Sequence, residues 1–313
     1  MPMRLIVLPW PRQGLIRVSD IMLQFKRIFI GSRCQNSCRF CAAAGREAEP
    51  AQAQVEAALR EASAENVVFH GGEPLLRADL PELARLAVRR GARRLKVRTN
   101  ARALAGTDLL AVLLEAGVYF FEVKVCGPAP EVHDAVCGSR GFEETFAGLS
   151  AIREVSELRG AELRPYLECV VPVVKENLAL LEPTLHGLLT FQPDRLHFEL
   201  SDPDLGLLKA APYLKAALET ALFNKVWATT LGLPLCVMGG FEPHVREALP
   251  GAASGRKLKP CKRCVLREVC GGVDARLLSR QGERQVEAQL EPASAHRHLE
   301  GLSLLRQPLK AAP

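Results

Sequence analysis

Ten cysteines in 313 residues are the side chains best equipped for chemistry, and their spacing sorts them. Cys34, Cys38 and Cys41 stand in GSRCQNSCRFCAAA as Cys-x3-Cys-x2-Cys. Three thiolates on one loop can hold three corners of a cubane iron–sulfur cluster and leave the fourth iron open. A closed structural zinc needs four ligands, and no fourth Cys or His stands nearby; His70 is the nearest histidine in sequence. A second group, Cys261, Cys264 and Cys270, has the spacing Cys-x2-Cys-x5-Cys, and Cys236 upstream supplies a fourth thiolate. Four thiolates close a site, and on spacing alone an auxiliary cluster and a structural zinc fit equally. Cys126 reads first as a small buried apolar side chain, with a hydrogen-donor role as the alternative; Cys137 and Cys169 read as buried packing.

The elements that must position these groups can be read from periodicity. Six β-type runs, at 27–31, 66–70, 94–99, 119–125, 166–174 and 195–200, alternate with amphipathic stretches at 55–63, 80–90, 108–117, 142–155 and 177–189. Repeated βα units imply parallel strands joined by right-handed crossovers, in an open sheet or a barrel. SDPDLG (201–206) reads as a linker, and a helix is expected over about 207–230. The Gly- and Cys-rich segment from Leu233 to about Leu290 lacks periodicity, so a metal is expected to replace part of its core. The expected division is an N-terminal segment 1–26, a core 27–205, a helix with a cysteine-rich unit over 206–290, and a loosely ordered tail 291–313. Arg89, Arg90, Arg93, Arg94 and Lys96 cluster and read as a solvated face. Net charge is +6 and aromatics are 5%, without the basic stripe of a nucleic-acid binder, so no nucleic-acid partner is expected. No apolar run reaches the roughly 18–20 residues of a membrane span and no signal peptide is evident, which leaves the cytoplasm as the expected compartment.

The cysteine loop after the first strand resembles the signature of the radical S-adenosylmethionine (SAM) superfamily. Gly71-Gly72-Glu73-Pro74, ending the second strand, is similar to the element that grips the methionine amino group of SAM in that family. Arg98-Thr99-Asn100 ends the third strand, where the family often has a Thr-Asn pair near the site. PEVHDAVCGSRGFEETFAGL resembles a stretch found in peptide-modifying members; its His133 and Asp134 read either as orienting the loop or, more commonly, as a helix cap. The resemblance implies a partial (β/α)6 TIM-like barrel with a small C-terminal cysteine-rich domain. It also implies a [4Fe–4S] cluster on Cys34, Cys38 and Cys41, with SAM chelated at the open iron and Phe40 near the adenine. One electron then cleaves SAM, and the resulting 5′-deoxyadenosyl radical abstracts hydrogen from substrate. Strand four departs from the family: Lys124, Val125, Cys126 and Gly127 stand where Ser-x-Asp-Gly is common. Lys124 would bring a cation to the cofactor's ribose or to an acidic substrate.

The second cysteine group is similar to SPASM and twitch extensions, and its four cysteines imply one auxiliary [4Fe–4S] cluster. The implied substrate is a peptide or protein side chain, with a small metabolite or cofactor precursor as the alternative. A one-electron donor such as flavodoxin or ferredoxin is implied as partner. The different class of function is a non-catalytic protein with zinc at both sites, against which the open three-cysteine loop and the paired glycines both count.

Overall fold

In a computed structural model of the chain, residues 25–41, 49–62, 65–246, 255–282 and 286 are described. Most of the expected N-terminal segment and all of the expected tail lie outside them. Seven strands form one parallel sheet in the order of the chain: β1 Lys26–Gly31, β2 Asn66–Gly71, β3 Arg94–Thr99, β4 Val118–Lys124, β5 Tyr166–Val173, β6 Arg195–Leu200 and β7 Trp227–Leu231. β1 and β7 are the two edges, so the architecture is a partial TIM-like barrel with an open seam. Helices α1 Gln52–Ala62, α2 Leu80–Arg89, α3 Leu109–Glu115, α4 Pro130–Cys137, α5 Phe142–Leu163, α6 Leu181–Leu189 and α7 Leu207–Phe223 fill the crossovers; α8 Ala275–Gln281 follows the sheet.

Strand side chains alternate between the two faces of a sheet, and here the faces differ in kind. One set, including Val97, Phe121, Val123, Leu167, Val171, Leu196 and Phe198, packs into the apolar core with Leu83, Leu113, Leu149 and Leu185 of the helices. The alternate set carries charge: Lys96 and Arg98, Glu122 and Lys124, Glu168, then His197 and Glu199. Register brings them side by side, with Arg98 opposite Glu122 and Glu122 opposite Glu168. The barrel interior is therefore polar and the layer beneath the helices apolar.

The structure corrects the expected end of the barrel. The helix expected to run to about 230 stops at Phe223, and Trp227–Leu231 is the seventh strand, beyond residue 205. Lys225 takes a left-handed φ of 60°, and the amides of Lys225 and Val226 close back on the carbonyls of Leu222 and Ala221. This geometry ends a helix even without glycine. SDPDLG is a βα turn, in which the Leu205 amide donates to the Asp202 carbonyl. The expected solvated basic face also needs correcting at Lys96, which is 6% exposed and points into the barrel, while Arg89, Arg90 and Arg93 are exposed as expected. Among the described residues no helix is long and apolar enough to cross a membrane.

Candidate active site

The cysteine loop leaves β1 at Gly31 and is held from two sides. On one side the backbone zips to the end of β2: the Gly72 amide donates to the Gly31 carbonyl at 2.7 Å and the Glu73 amide to the Arg33 carbonyl at 2.6 Å. On the other side, the Ser37 amide donates to the carbonyl of Cys137, the last residue of α4, at 2.9 Å. Asn36 is gripped through its Oδ1 by Arg102 Nη1 at 2.8 Å and by the Ser139 hydroxyl at 3.0 Å. Arg102 is itself paired with Glu144 of α5. Neither Arg102 nor Ser139 was marked by the sequence, because their role depends on a fold that brings β3 and α4 to the loop.

Cys34 is exposed, with Sγ accepting from the Asn36 amide at 3.4 Å; Cys38 and Cys41 are half-buried. Amide-to-sulfur bonds of this kind tune iron–sulfur centres. The Cys38 thiol is hydrogen-bonded to that of Cys137, which with burial pushes its pKa upward, and Cys137 in turn meets Cys126. These residues close a small apolar cluster with Val136, Val174 and Phe40.

At the ends of β2 and β3 the paired glycines are required by proximity. A Cβ on Gly71 would lie 2.0 Å from the Gly31 carbonyl oxygen, and one on Gly72 2.2 Å from that of Arg33. Glu73 is buried, and its carboxylate accepts from the Thr99 hydroxyl at 2.6 Å, the Asn100 amide at 2.7 Å and the Leu75 amide at 3.0 Å. Burial raises the Glu73 pKa, and these three bonds oppose the rise. Glu73 is thus the knot between two strand ends, and Pro74 starts the short helical turn that follows. Asn100 Nδ2, next to it, and Gln35 Oε1, within the cysteine loop, are buried without hydrogen-bond partners. Orphaned buried polar atoms are rare and mark places where a ligand or water belongs.

The interior charges rise from the barrel wall toward this mouth. Lys96 pairs with Glu168 and lies 3.6 Å from Glu122. Arg98 donates from Nε to Glu122 at 2.7 Å and from Nη2 to both oxygens of Glu199 at 2.8 Å. Burial alone would raise the Glu168 pKa, but Lys96 and His197 hold it below the usual carboxylate range. Glu122 chiefly, then Glu199, raises that of Arg98 against its burial. At the top, Lys124 Nζ lies 5.2 Å from the centre of the Phe40 ring, so two of the expected cofactor residues meet. His133 and Asp134 are structural: Asp134 Oδ1 accepts from the amides of Gly141 and Phe142, capping α5, and His133 Nδ1 accepts from the Cys126 amide.

The donor chemistry of the loop suits a thiolate-ligated cluster, and the orphaned atoms of Gln35 within it and of Asn100 at the end of β3 suit a polar cofactor. Among the described residues no three His, Cys, Asp or Glu side chains close around one point, at this loop or at the second cysteine group. Cys236, Cys261, Cys264 and Cys270 are all half-buried against the main core. Cys261 Sγ accepts from the Leu258 amide at 3.4 Å and Cys270 Sγ from the Gly272 amide at 3.3 Å.

Comparison with known proteins gives concordant results. Residues 28–157 match the family model of the Radical SAM superfamily. The AdoMet-dependent heme synthase of Oleidesulfovibrio alaskensis is 30% identical over 129 residues, covering 39% of this chain and 33% of that protein. The Probable GTP 3′,8-cyclase of Metallosphaera sedula is 30% identical over 134 residues, 41% of this chain and 42% of that protein. The chain thus spans less than half the length of these curated relatives. Among solved structures, Streptococcus suis SuiB bound to precursor peptide SuiA superposes with a TM-score of 0.52 at 15% identity, over 67% of this chain and 50% of SuiB. SuiB bound to S-adenosylmethionine gives 0.51 at 14% identity, over 65% of this chain and 46% of that one. At such identities the likeness shows the fold. The three-cysteine loop and the paired glycines both lie inside the segment, residues 28–157, that matches the Radical SAM superfamily model.

Proposed function

We propose that this protein is a radical SAM enzyme that abstracts a hydrogen atom from a peptide or protein side chain. The observation that carries the reading is the clamped loop of Cys34, Cys38 and Cys41, set against the glycine pair and the orphaned Asn100 amide at one barrel mouth. In this reading the three thiolates hold a [4Fe–4S] cluster, and Gly71, Gly72, Glu73, Pro74, Thr99 and Asn100 form the wall for the methionine end of SAM. Phe40 and Lys124 face the nucleoside end. When bound, the cluster and SAM supply one electron and a 5′-deoxyadenosyl radical that takes hydrogen from the substrate. The chain's own part is to place and to shield. The Glu73 knot fixes the glycine wall, Arg102 and Ser139 fix the loop, and the apolar patch of Val136, Val174 and Phe40 excludes water on one side.

The peptide substrate is supported by the fold shared with SuiB, a protein solved with its precursor peptide. A small-metabolite substrate is the second reading, favoured by the sequence likeness to the heme synthase and the GTP cyclase. Cys236, Cys261, Cys264 and Cys270 would hold one auxiliary cluster after rearranging about a common centre, with flavodoxin or ferredoxin as electron donor.

The test is anaerobic reconstitution with iron and sulfide, then dithionite and SAM, scored for 5′-deoxyadenosine. Release by wild type and none by a Cys34→Ala, Cys38→Ala, Cys41→Ala triple variant is the expected result. A fully loaded wild type that releases none, with or without candidate substrates, would overturn the reading.

A further inference from the structure

Arg77 bonds both stems of the cysteine loop. From one nitrogen, Nη1, it donates to the Ile30 carbonyl at 2.7 Å, before the cysteines, and to the Pro50 carbonyl at 2.9 Å, after them. Ile30 falls where the register of β1 on β2 slips, between Phe29 and Gly31. The rest of the guanidinium is aimed by Asp79, whose carboxylate accepts from Nε at 2.6 Å and from Nη2 at 2.9 Å. Asp79 stands at the N-cap of α2, where an aspartate usually accepts from the helix's own amides. Here its side chain makes no capping bond and serves Arg77 instead. The Arg77 side chain is 9% exposed, so its charge-assisted bonds are made largely out of water, where they are stronger.

The two stems differ in what else holds them. The first is also tied through Gly31 and Arg33, whose carbonyls accept from the amides of Gly72 and Glu73. Among the described residues 49–51 of the second stem, the bond from Arg77 is the one hydrogen bond that reaches beyond the stem and the helix it starts. Glu49 adds two long ion pairs, 4.0 Å from Arg77 and 3.9 Å from Arg33. Arg77 reaches the glycine wall as well: its amide donates to the Pro74 carbonyl at 3.0 Å, closing the turn after Glu73. One residue therefore joins both stems to the wall.

We propose that Arg77 is a positioning residue for the cluster, stapling the second stem to the first so that Cys41 is presented together with Cys34 and Cys38. The role rests on the radical SAM reading only in taking these three thiolates as cluster ligands. Cys41 is the one of the three nearest the second stem in the chain, so it is the thiolate that a loosened staple sets free.

The test uses the full chain with two readouts. Before reconstitution, timed labelling with iodoacetamide and mass spectrometry gives the rate at each cysteine. After anaerobic reconstitution, a ferrous chelator is added and the loss of cluster absorbance is timed. Arg77→Gln is expected to speed labelling of Cys41 relative to Cys34, and to release the cluster about tenfold faster, the size common when groups behind the ligands are removed. Arg77→Lys is expected to recover part of both, because one nitrogen serves both carbonyls and an ammonium has three donors. Asp79→Asn keeps Arg77 but weakens its aim, and is expected to fall between wild type and Arg77→Gln. Arg85→Gln, on the outer face of α2, is expected to match wild type. Cys169, buried in the core, reports global opening and is expected to keep its wild-type rate. Wild-type rates in Arg77→Gln, or a rise at Cys169 equal to that at Cys41, would overturn the staple. Should that variant not fold, wild-type rates in both Arg77→Lys and Asp79→Asn would overturn it. Deoxyadenosine release, measured on the same samples, separates the two ideas: release with unchanged rates removes the staple alone, and changed rates without release remove the radical reading alone.

Discussion

Gly72 is the residue at which the cysteine loop and the second strand come closest. Its missing side chain would lie 2.2 Å from the Arg33 carbonyl oxygen and 2.4 Å from that of Ser32, so Gly72→Ala has to push backbone away from backbone. The expected outcome is a loss of about 3 kcal/mol or more in thermal or urea unfolding, together with a lower iron content after reconstitution. His133 gives a second prediction at this scale. Burial holds its pKa down to about 4 in the folded protein, below the roughly 6.5 of a free histidine. Below pH 6.5 the unfolded chain takes up a proton that the folded chain refuses, so stability present at pH 7 is lost as the pH falls toward 4. Between pH 7 and pH 5 this removes about 2 kcal/mol, and His133→Gln should show a correspondingly smaller difference between those pH values in urea titrations. Neither residue carries its meaning in the sequence alone. The glycine pair was legible as a motif, whereas the depressed histidine depends on Phe142 and Phe146 packing around its ring.

At the scale of elements, β4 and β5 are joined at their ends by one buried amide. Asn177 donates from Nδ2 to the carbonyls of Cys126 at 2.9 Å and Pro172 at 2.7 Å, and its Oδ1 accepts from the Val174 amide at 2.9 Å. Asn177→Ala would orphan three buried backbone groups, and a loss of about 3 kcal/mol is expected, read as a lower melting temperature without a change in the urea m-value. Six strands were legible because their β-type runs alternate with leucine- and alanine-rich helical stretches at the right lengths. The seventh was not. In α7 the apolar period runs straight toward WATTL, and the break falls at Asn224-Lys225, where lysine rather than glycine takes the left-handed turn. Helix α4 was missed for a related reason. It is short, and it ends at Gly138, whose closeness to the Ser37 carbonyl is a tertiary requirement invisible to local pattern.

For the whole molecule, the barrel is a sheet with opposite chemistries on its two faces. RLKVRT, VYFFEVK and RLHFEL alternate polar with apolar residues, but a strand's own pattern does not say that its polar face will be enclosed. Enclosure converts Lys96, Glu122, Glu168 and Arg98 from solvated charges into a shared network across β3, β4 and β5. Removing one member leaves the others uncompensated in low dielectric. Glu168→Gln is expected to destabilise the fold by about 3 kcal/mol, measured by urea unfolding at pH 7. A Glu115→Gln change on the outer helix α3 should stay within about 0.5 kcal/mol of wild type.

The clamp on the cysteine loop has a consequence in time. During synthesis the loop emerges with β1, but its anchors come later: Arg102 beyond β3, then Cys137 and Ser139 about a hundred residues downstream. At ordinary translation rates of about 5–20 residues per second, the three thiols spend on the order of 5–20 s outside the ribosome before the clamp can close. Iron or an oxidant arriving in that interval meets an unheld loop, and only after Ser139 has emerged does the chain hold the loop in its folded form.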